Sequence, residues 1–238
     1  MSRRPRVLPQ PNDTTCGPTC LQAVYAHWAT RRGEPVPTLA SVIESVQALP
    51  DGGTLAVHLG NDALRRGFDA TIYTCNLQLF DPTWFGGGVD LAERLRAQRA
   101  VKRDDKLRHA TDAYLGFLAA GGQICCEDLD RGLLARLLRQ APVLTGLSAT
   151  WLYGCARERG DHVVVHDDVG GTAAGHFVVL TELDEGSDVV HIGDPLHDNP
   201  GWGSGAYAAP LQRLMNAILL GVVTYDANLL VITPRDPT

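Results

Sequence analysis

The chain has 238 residues, 45% of them hydrophobic, which is enough for the core of one large domain or of a domain with an insertion. Its 27 acidic and 21 basic residues give a formal net charge of −6, which argues against a general nucleic-acid binder. No apolar segment follows the basic N-terminus, and no apolar run reaches the roughly 18 residues of a membrane span. With six cysteines indicating free thiols, the sequence predicts a soluble, cytoplasmic protein without a secretory signal or membrane span.

A loop near the N-terminus turns into a predicted helix whose first turn contains Cys16. Pro18 is tolerated only in an opening turn, and Thr14 or Thr15 is a suitable cap. The positive end of a helix favours a thiolate, and its unpaired N–H groups suit an oxyanion. Gln10, on the entering loop, is placed to add a side-chain amide donor. The alternative is an inert, buried cysteine, because free cysteines are often buried.

Two apolar runs in the C-terminal half flank a loop signal at residues 184–187, a pattern that predicts an antiparallel hairpin. If Leu183 pairs with Asp188, the register brings His176 and Asp194 to the same end of adjacent strands. An imidazole beside a carboxylate is the arrangement that a general base and its orienting partner need. The hairpin therefore predicts the second half of a catalytic site.

Together these motifs resemble those of C39-type peptidases, papain-like cysteine peptidases whose best-known members remove double-glycine leaders from exported peptides. The motifs are Gln10, Cys16-Gly17-Pro18, Gly175-His176-Phe177-Val178 and Gly193-Asp194-Pro195. The similarity covers roughly residues 10–73 and 133–194. No exporter segment accompanies the motifs, so we expect a stand-alone member of the family.

The resemblance implies a papain-like fold and assigns the site residues. Cys16 is expected to be the nucleophile and His176 the base. Asp194 is expected to orient the imidazole, and Gln10 to donate to the oxyanion. Helices that precede strands along the chain likewise predict an α+β fold, with an N-terminal helical half packed on a C-terminal antiparallel sheet. We expect a single domain over residues 1–238 and no cofactor.

The resemblance does not extend to residues 76–123, which we interpret as a helical insertion. This segment carries strong local positive charge in an otherwise acidic chain. Its basic residues are Arg94, Arg96, Arg99, Lys102, Arg103, Lys106 and Arg108. The charge favours either a surface that attracts an acidic substrate or an ordinary solvated helix face.

A strand-like segment places His162 and His166 beside Asp167 and Asp168, and side chains of these types can bind a metal ion. No cysteine pair lies nearby and the segment has the pattern of an exposed strand, so we predict that the protein binds no metal. The glycine-rich run at 201–205 lacks the context of a dinucleotide fingerprint and predicts a loop near the mouth of the active site.

These features predict a cysteine-dependent enzyme that hydrolyses a peptide or isopeptide bond through a thioester. The partner is then a peptide or protein, acidic if the insertion contributes to binding. Two alternatives stay open. The same residues can transfer the acyl group to an amine, as transpeptidating or amide-forming enzymes do, or the fold can serve as a non-catalytic peptide-binding module.

Overall fold

The structure is a computed structural model that describes residues 4–49, 52–160, 164–224 and 226–235. The helices in these ranges are α1 (Cys16–Arg32), α2 (Leu39–Ser45), α3 (Ala56–Arg65), α4 (Leu91–Val101), α5 (Asp105–Ala119), α6 (Arg131–Gln140), α7 (Ala149–Tyr153) and α8 (Leu211–Leu220). The strands are β1 (Phe68–Thr74), β2 (Gln123–Cys125), β3 (Val143–Ser148), β4 (Glu158–Arg159), β5 (Val165–His166), β6 (Gly175–Leu183), β7 (Val189–Gly193), β8 (Ala206–Pro210) and β9 (Asn228–Pro234). Within the same ranges, no helix is long and apolar enough to cross a membrane.

One seven-stranded sheet has the order β2-β1-β9-β3-β6-β7-β8. Its pairs are antiparallel, except that β2 runs parallel to β1. β4 and β5 form a separate small antiparallel pair. Helices combined with a mostly antiparallel sheet make this an α+β protein, which confirms the predicted class.

The expectation of a sheet confined to the C-terminal half is wrong. β1 belongs to the N-terminal half and pairs with β9, from Phe68 opposite Pro234 to Thr74 opposite Asn228. β9 also pairs with β3, so the last strand of the chain lies between the two halves. The apolar pattern marks β1 as a strand, but it does not reveal a partner so distant in the sequence.

Helices cover both faces of the sheet. Along β6, Phe177 and Val179 belong to a core shared with α1, α3 and α5, whereas Val178 and Leu180 belong to a core shared with α6, α7 and α8. Successive side chains of a strand point to opposite faces, so a strand covered on both sides is continuously apolar. The expected packing of N-terminal helices on the sheet is therefore present, with a second helical layer on the other face.

The insertion is an integral part of the first core. Tyr114 and Phe117 of α5 are buried there, and a Cβ atom added to Gly60 of α3 would clash with the Phe117 ring. One of its basic side chains is neutralised, because the guanidinium of Arg99 forms an ion pair with Asp112, with Nη2 2.8 Å from Oδ2. The insertion thus extends the helical layer, and only part of its positive charge remains available.

Candidate active site

Cys16 is the first residue of α1, as the sequence predicts. Thr15 occupies the N-cap position, but its side chain does not cap the helix. Its hydroxyl instead donates to the backbone oxygen of Asn12 at 3.0 Å. The expectation of a threonine cap is therefore wrong. The first-turn N–H groups next to Cys16 lack a side-chain cap, and such groups are suited to bind an anion.

His176 lies at the start of β6, and only 7% of its side chain is exposed. Its Nε2 atom is 2.8 Å from Oδ1 of Asp194, which follows β7. The Cys16 side chain lies close enough to the same ring to raise its pKa. The imidazole therefore stands between a thiol and a carboxylate, although these three residues come from distant parts of the chain.

The hairpin that brings His176 to Asp194 has a different register from the predicted one. Leu183 pairs with Val190, whereas Asp188 lies in the loop with a φ of 48°. A bulge then shifts the register between Leu180 and Glu182. The loop is longer than the turn residues indicate, and the bulge partly offsets the difference. The predicted approach of imidazole and carboxylate holds, but the predicted register is wrong.

The Asp194 carboxylate is fully buried and receives several hydrogen bonds. Its Oδ2 atom accepts the hydroxyls of Tyr153, at 2.8 Å, and of Tyr207, at 2.7 Å. Its Oδ1 atom accepts the backbone N–H of Leu196 at 2.9 Å, in addition to the contact with His176. A buried carboxylate that is hydrogen bonded on both oxygens is fixed in orientation and stabilised as an anion.

Charges in the site favour a protonated imidazole. Burial of His176 opposes its charge, but the charge of the Asp194 carboxylate and the hydrogen bond that it accepts from the ring, together with the Cys16 side chain, outweigh burial and raise the pKa of His176 to about 10. Burial likewise opposes ionisation of Asp194, but the charge of His176 and the hydrogen bonds of His176, Tyr207 and Tyr153 hold the pKa of that carboxyl below its ordinary value. Cys16 therefore faces an imidazolium at neutral pH.

Burial disfavours ionisation of the five other thiols. Burial is the largest cause in each case, and it raises the pKa of every one of these groups. They are Cys20, Cys75, Cys125, Cys126 and Cys155. Cys20 is the extreme case, since it is fully buried and its thiol donates to the backbone oxygen of Phe177 at 3.3 Å.

Gln10 lies on the loop before α1, and its backbone N–H donates to the backbone oxygen of Pro195 at 2.9 Å. This bond places the loop alongside the residue that follows Asp194. The Oε1 atom of Gln10 is buried without a hydrogen-bond partner among the described residues. The structure therefore ties Gln10 to the catalytic region, and its role as an oxyanion donor stays a prediction.

Sequence reasoning missed the aromatic support of Asp194. The loop over 201–205 does lie at the site, because the backbone N–H of Asp194 donates to the Gly205 oxygen at 2.9 Å. Trp202 in that loop stacks on Tyr207 with ring centroids 4.1 Å apart, and it meets Tyr153 edge-on at 6.4 Å. Tyr153 and Tyr207 come from α7 and β8, and no spacing in the sequence connects them.

The predicted metal candidates do not form a described cluster. His162 lies outside the described residues, and His166 lies in β5 at the surface. Across the described part of the chain, no group of three or more His, Cys, Asp or Glu side chains is arranged to hold a metal ion.

No protein-family model matches the chain, and no curated protein gives a significant match to it.

Proposed function

We propose that the protein is a cysteine peptidase of the C39-like, papain-like class, which cleaves a peptide or isopeptide bond through an acyl-enzyme. The observation that carries this proposal is the position of His176, which hydrogen bonds Asp194 and interacts with Cys16. A nucleophile, a base and an orienting group within mutual reach are the signature of covalent acyl transfer. The helix that begins at Cys16 and packs against β6 supports a papain-like fold.

In the proposed reaction the Cys16 sulfur attacks the carbonyl carbon, and the carbonyl oxygen becomes an oxyanion. The first-turn N–H groups of α1 and the side chain of Gln10 stabilise this charge. His176 gives its proton to the leaving amine as the C–N bond breaks, leaving a thioester on Cys16. His176 then takes a proton from water, which attacks the thioester and releases the acid and the thiolate. Asp194 remains ionised throughout and holds the ring.

p-Nitrophenyl acetate tests the proposal without knowledge of the natural substrate. We expect a burst of p-nitrophenol and an acetyl group on Cys16, detected by mass spectrometry of proteolytic fragments. Cys16→Ala and His176→Ala should abolish the burst, whereas Cys125→Ala, which removes a half-buried thiol on the edge strand β2, should retain it. Acetylation of Cys16 that is unchanged in His176→Ala would refute the triad. Adding glycinamide then measures whether water or an amine resolves the thioester.

A further inference from the structure

An apolar groove of about 480 Å³ opens beside the candidate active site. Three large apolar side chains line it and are unusually exposed: Trp151 at 46%, Leu220 at 39% and Val223 at 58%. The volume falls within the range of about 300–1,000 Å³ that ligand sites occupy, and exposed apolar patches of this kind mark binding surfaces.

The groove and the catalytic residues share one wall. Ser148 lines the groove and pairs with Gly175, the residue directly before His176. α7 begins after Ser148 and bears Trp151 on the groove side. The same helix ends at Tyr153, whose hydroxyl donates a hydrogen bond to Asp194. The centroids of the Tyr153 and His176 rings are 6.1 Å apart. The groove therefore lies against the helix that supports Asp194 and beside the strand that bears His176.

Two guanidinium groups give the apolar groove a positive rim. Arg213 donates from Nε to the Leu152 backbone oxygen at 2.7 Å, and Arg157 donates from Nη2 to the Asp168 backbone oxygen at 2.5 Å. The charge of Arg157 interacts with the Asp167 carboxylate, whereas Arg213 forms no ion pair with a carboxylate among the described residues. A backbone oxygen holds the Arg213 guanidinium in place without cancelling its charge, so an incoming carboxylate would find a positioned partner.

We propose that this groove is the substrate-binding subsite and that it selects a peptide segment with a large apolar side chain next to an acidic one. The apolar side chain packs among Trp151, Leu220 and Val223, and the carboxylate meets Arg213. This proposal rests on the proposed peptidase function, because the groove is assigned to the substrate of that site. It also assigns recognition of acidic substrates to the groove rather than to the basic insertion.

Binding to the inactive variant Cys16→Ser tests the subsite separately from catalysis. The probes are short peptides with Phe-Glu at the centre and matched peptides with Ser-Glu or Phe-Gln, titrated by calorimetry. We expect Phe-Glu to bind at least about tenfold more tightly than either, since Ser-Glu has no aromatic side chain to bury and Phe-Gln has no charge to meet Arg213. In the same background, Trp151→Ala and Leu220→Ser should remove the preference for Phe, and Arg213→Gln the preference for Glu.

Two matched controls separate the groove from its surroundings. Leu219 is 44% exposed but does not line the groove, so Leu219→Ser should bind like the parent. Arg103 is exposed on the insertion, so Arg103→Glu should retain the preference for Glu.

Equal affinity for all three peptides, or equal losses in the controls, would overturn the proposal. So would sedimentation showing that Leu220→Ser changes the oligomeric mass while peptide affinity is unchanged, because a second copy would then cover the groove. Failure of the acetylation test alone would refute the catalytic function and leave these binding results intact.

Discussion

Tyr153 and Tyr207 donate their hydroxyls to the same oxygen of Asp194, at 2.8 and 2.7 Å. The two tyrosines come from α7 and β8, so elements on either side of the hairpin fix one carboxylate. Because the other oxygen contacts His176, rotation of the carboxylate would break all three bonds at once. The tyrosines therefore act as positioning residues for the imidazole.

Tyr153→Phe and Tyr207→Phe should fold but lower the rate at which iodoacetamide alkylates Cys16. We expect the alkylation rate to fall about tenfold in each variant, because a hydrogen bond to a charged group contributes about 1.5–3 kcal/mol. Tyr25→Phe is the matched control, since Tyr25 is buried and donates to Asp62 at 2.8 Å outside the site. All three variants should unfold at a higher pH than the wild type in an acid titration, because each loses a hydrogen bond to a carboxylate. Only Tyr153→Phe and Tyr207→Phe should slow alkylation of Cys16. Equal alkylation rates in all three would show that the tyrosines are merely structural.

The sequence is informative about local features of this site. The proline and the helical apolar spacing after Cys16 predict a helix start, and α1 begins there. The short loop signal predicts the meeting of His176 and Asp194, because a hairpin is closed by nearby residues. These inferences hold because the determining interactions lie within a few residues or across one hairpin.

Long-range features were not predictable in the same way. Loop length and a bulge set the hairpin register, and turn residues do not specify either. The place of β9 between β1 and β3 depends on pairing across most of the chain. Tyr153 and Tyr207 carry no pattern at all, because their role arises only when α7 and β8 converge on Asp194.

Because of the His176–Asp194 pair, the stability of the folded protein should decrease as the pH rises through the alkaline range. The pKa of His176 is raised from its ordinary value of 6.5 to about 10, so the folded protein retains a proton that the unfolded chain releases between these values. The stabilisation is complete below pH 6.5 and is lost as the pH approaches 10. The difference in Tm between wild type and His176→Gln should shrink over this range in a calorimetric pH series. A difference that widens toward pH 10 would contradict the assignment.

Asp226 should destabilise the fold when it ionises. This carboxyl is buried at the start of α3, where it accepts the Ala56 N–H at 3.3 Å, and burial raises its pKa from 3.8 to about 7. Stability should fall as the pH rises from 3.8 through 7, because the folded state retains a proton. Asp226→Asn retains the acceptor, so it should increase the free energy of unfolding at about pH 8.5 and have little effect at about pH 5. Urea titrations at both values measure this, and an equal effect at both would argue against a buried ionisation.

Gln10 should matter only when an oxyanion forms. Alkylation by iodoacetamide creates no oxyanion, whereas a peptide aldehyde forms a hemithioacetal whose oxygen occupies that position. Gln10→Ala should therefore leave alkylation of Cys16 unchanged and weaken aldehyde inhibition by about a hundredfold, the scale of losing one such donor. Parallel alkylation and inhibition assays on the same preparation provide the comparison. An equal loss in both would mean that Gln10 shapes the loop, not the oxyanion site.

Competition among the six thiols for one reagent measures whether His176 and Asp194 activate Cys16. Brief treatment with limiting iodoacetamide at neutral pH, followed by mass spectrometry, measures the labelling rate of each cysteine in one sample. We predict that Cys16 is labelled first, because it faces an imidazolium while burial raises the pKa of the other thiols. In His176→Ala the rate at Cys16 should fall to that of an ordinary thiol, with the other rates unchanged. Faster labelling of another cysteine, or a rate at Cys16 that His176→Ala does not change, would contradict the claim.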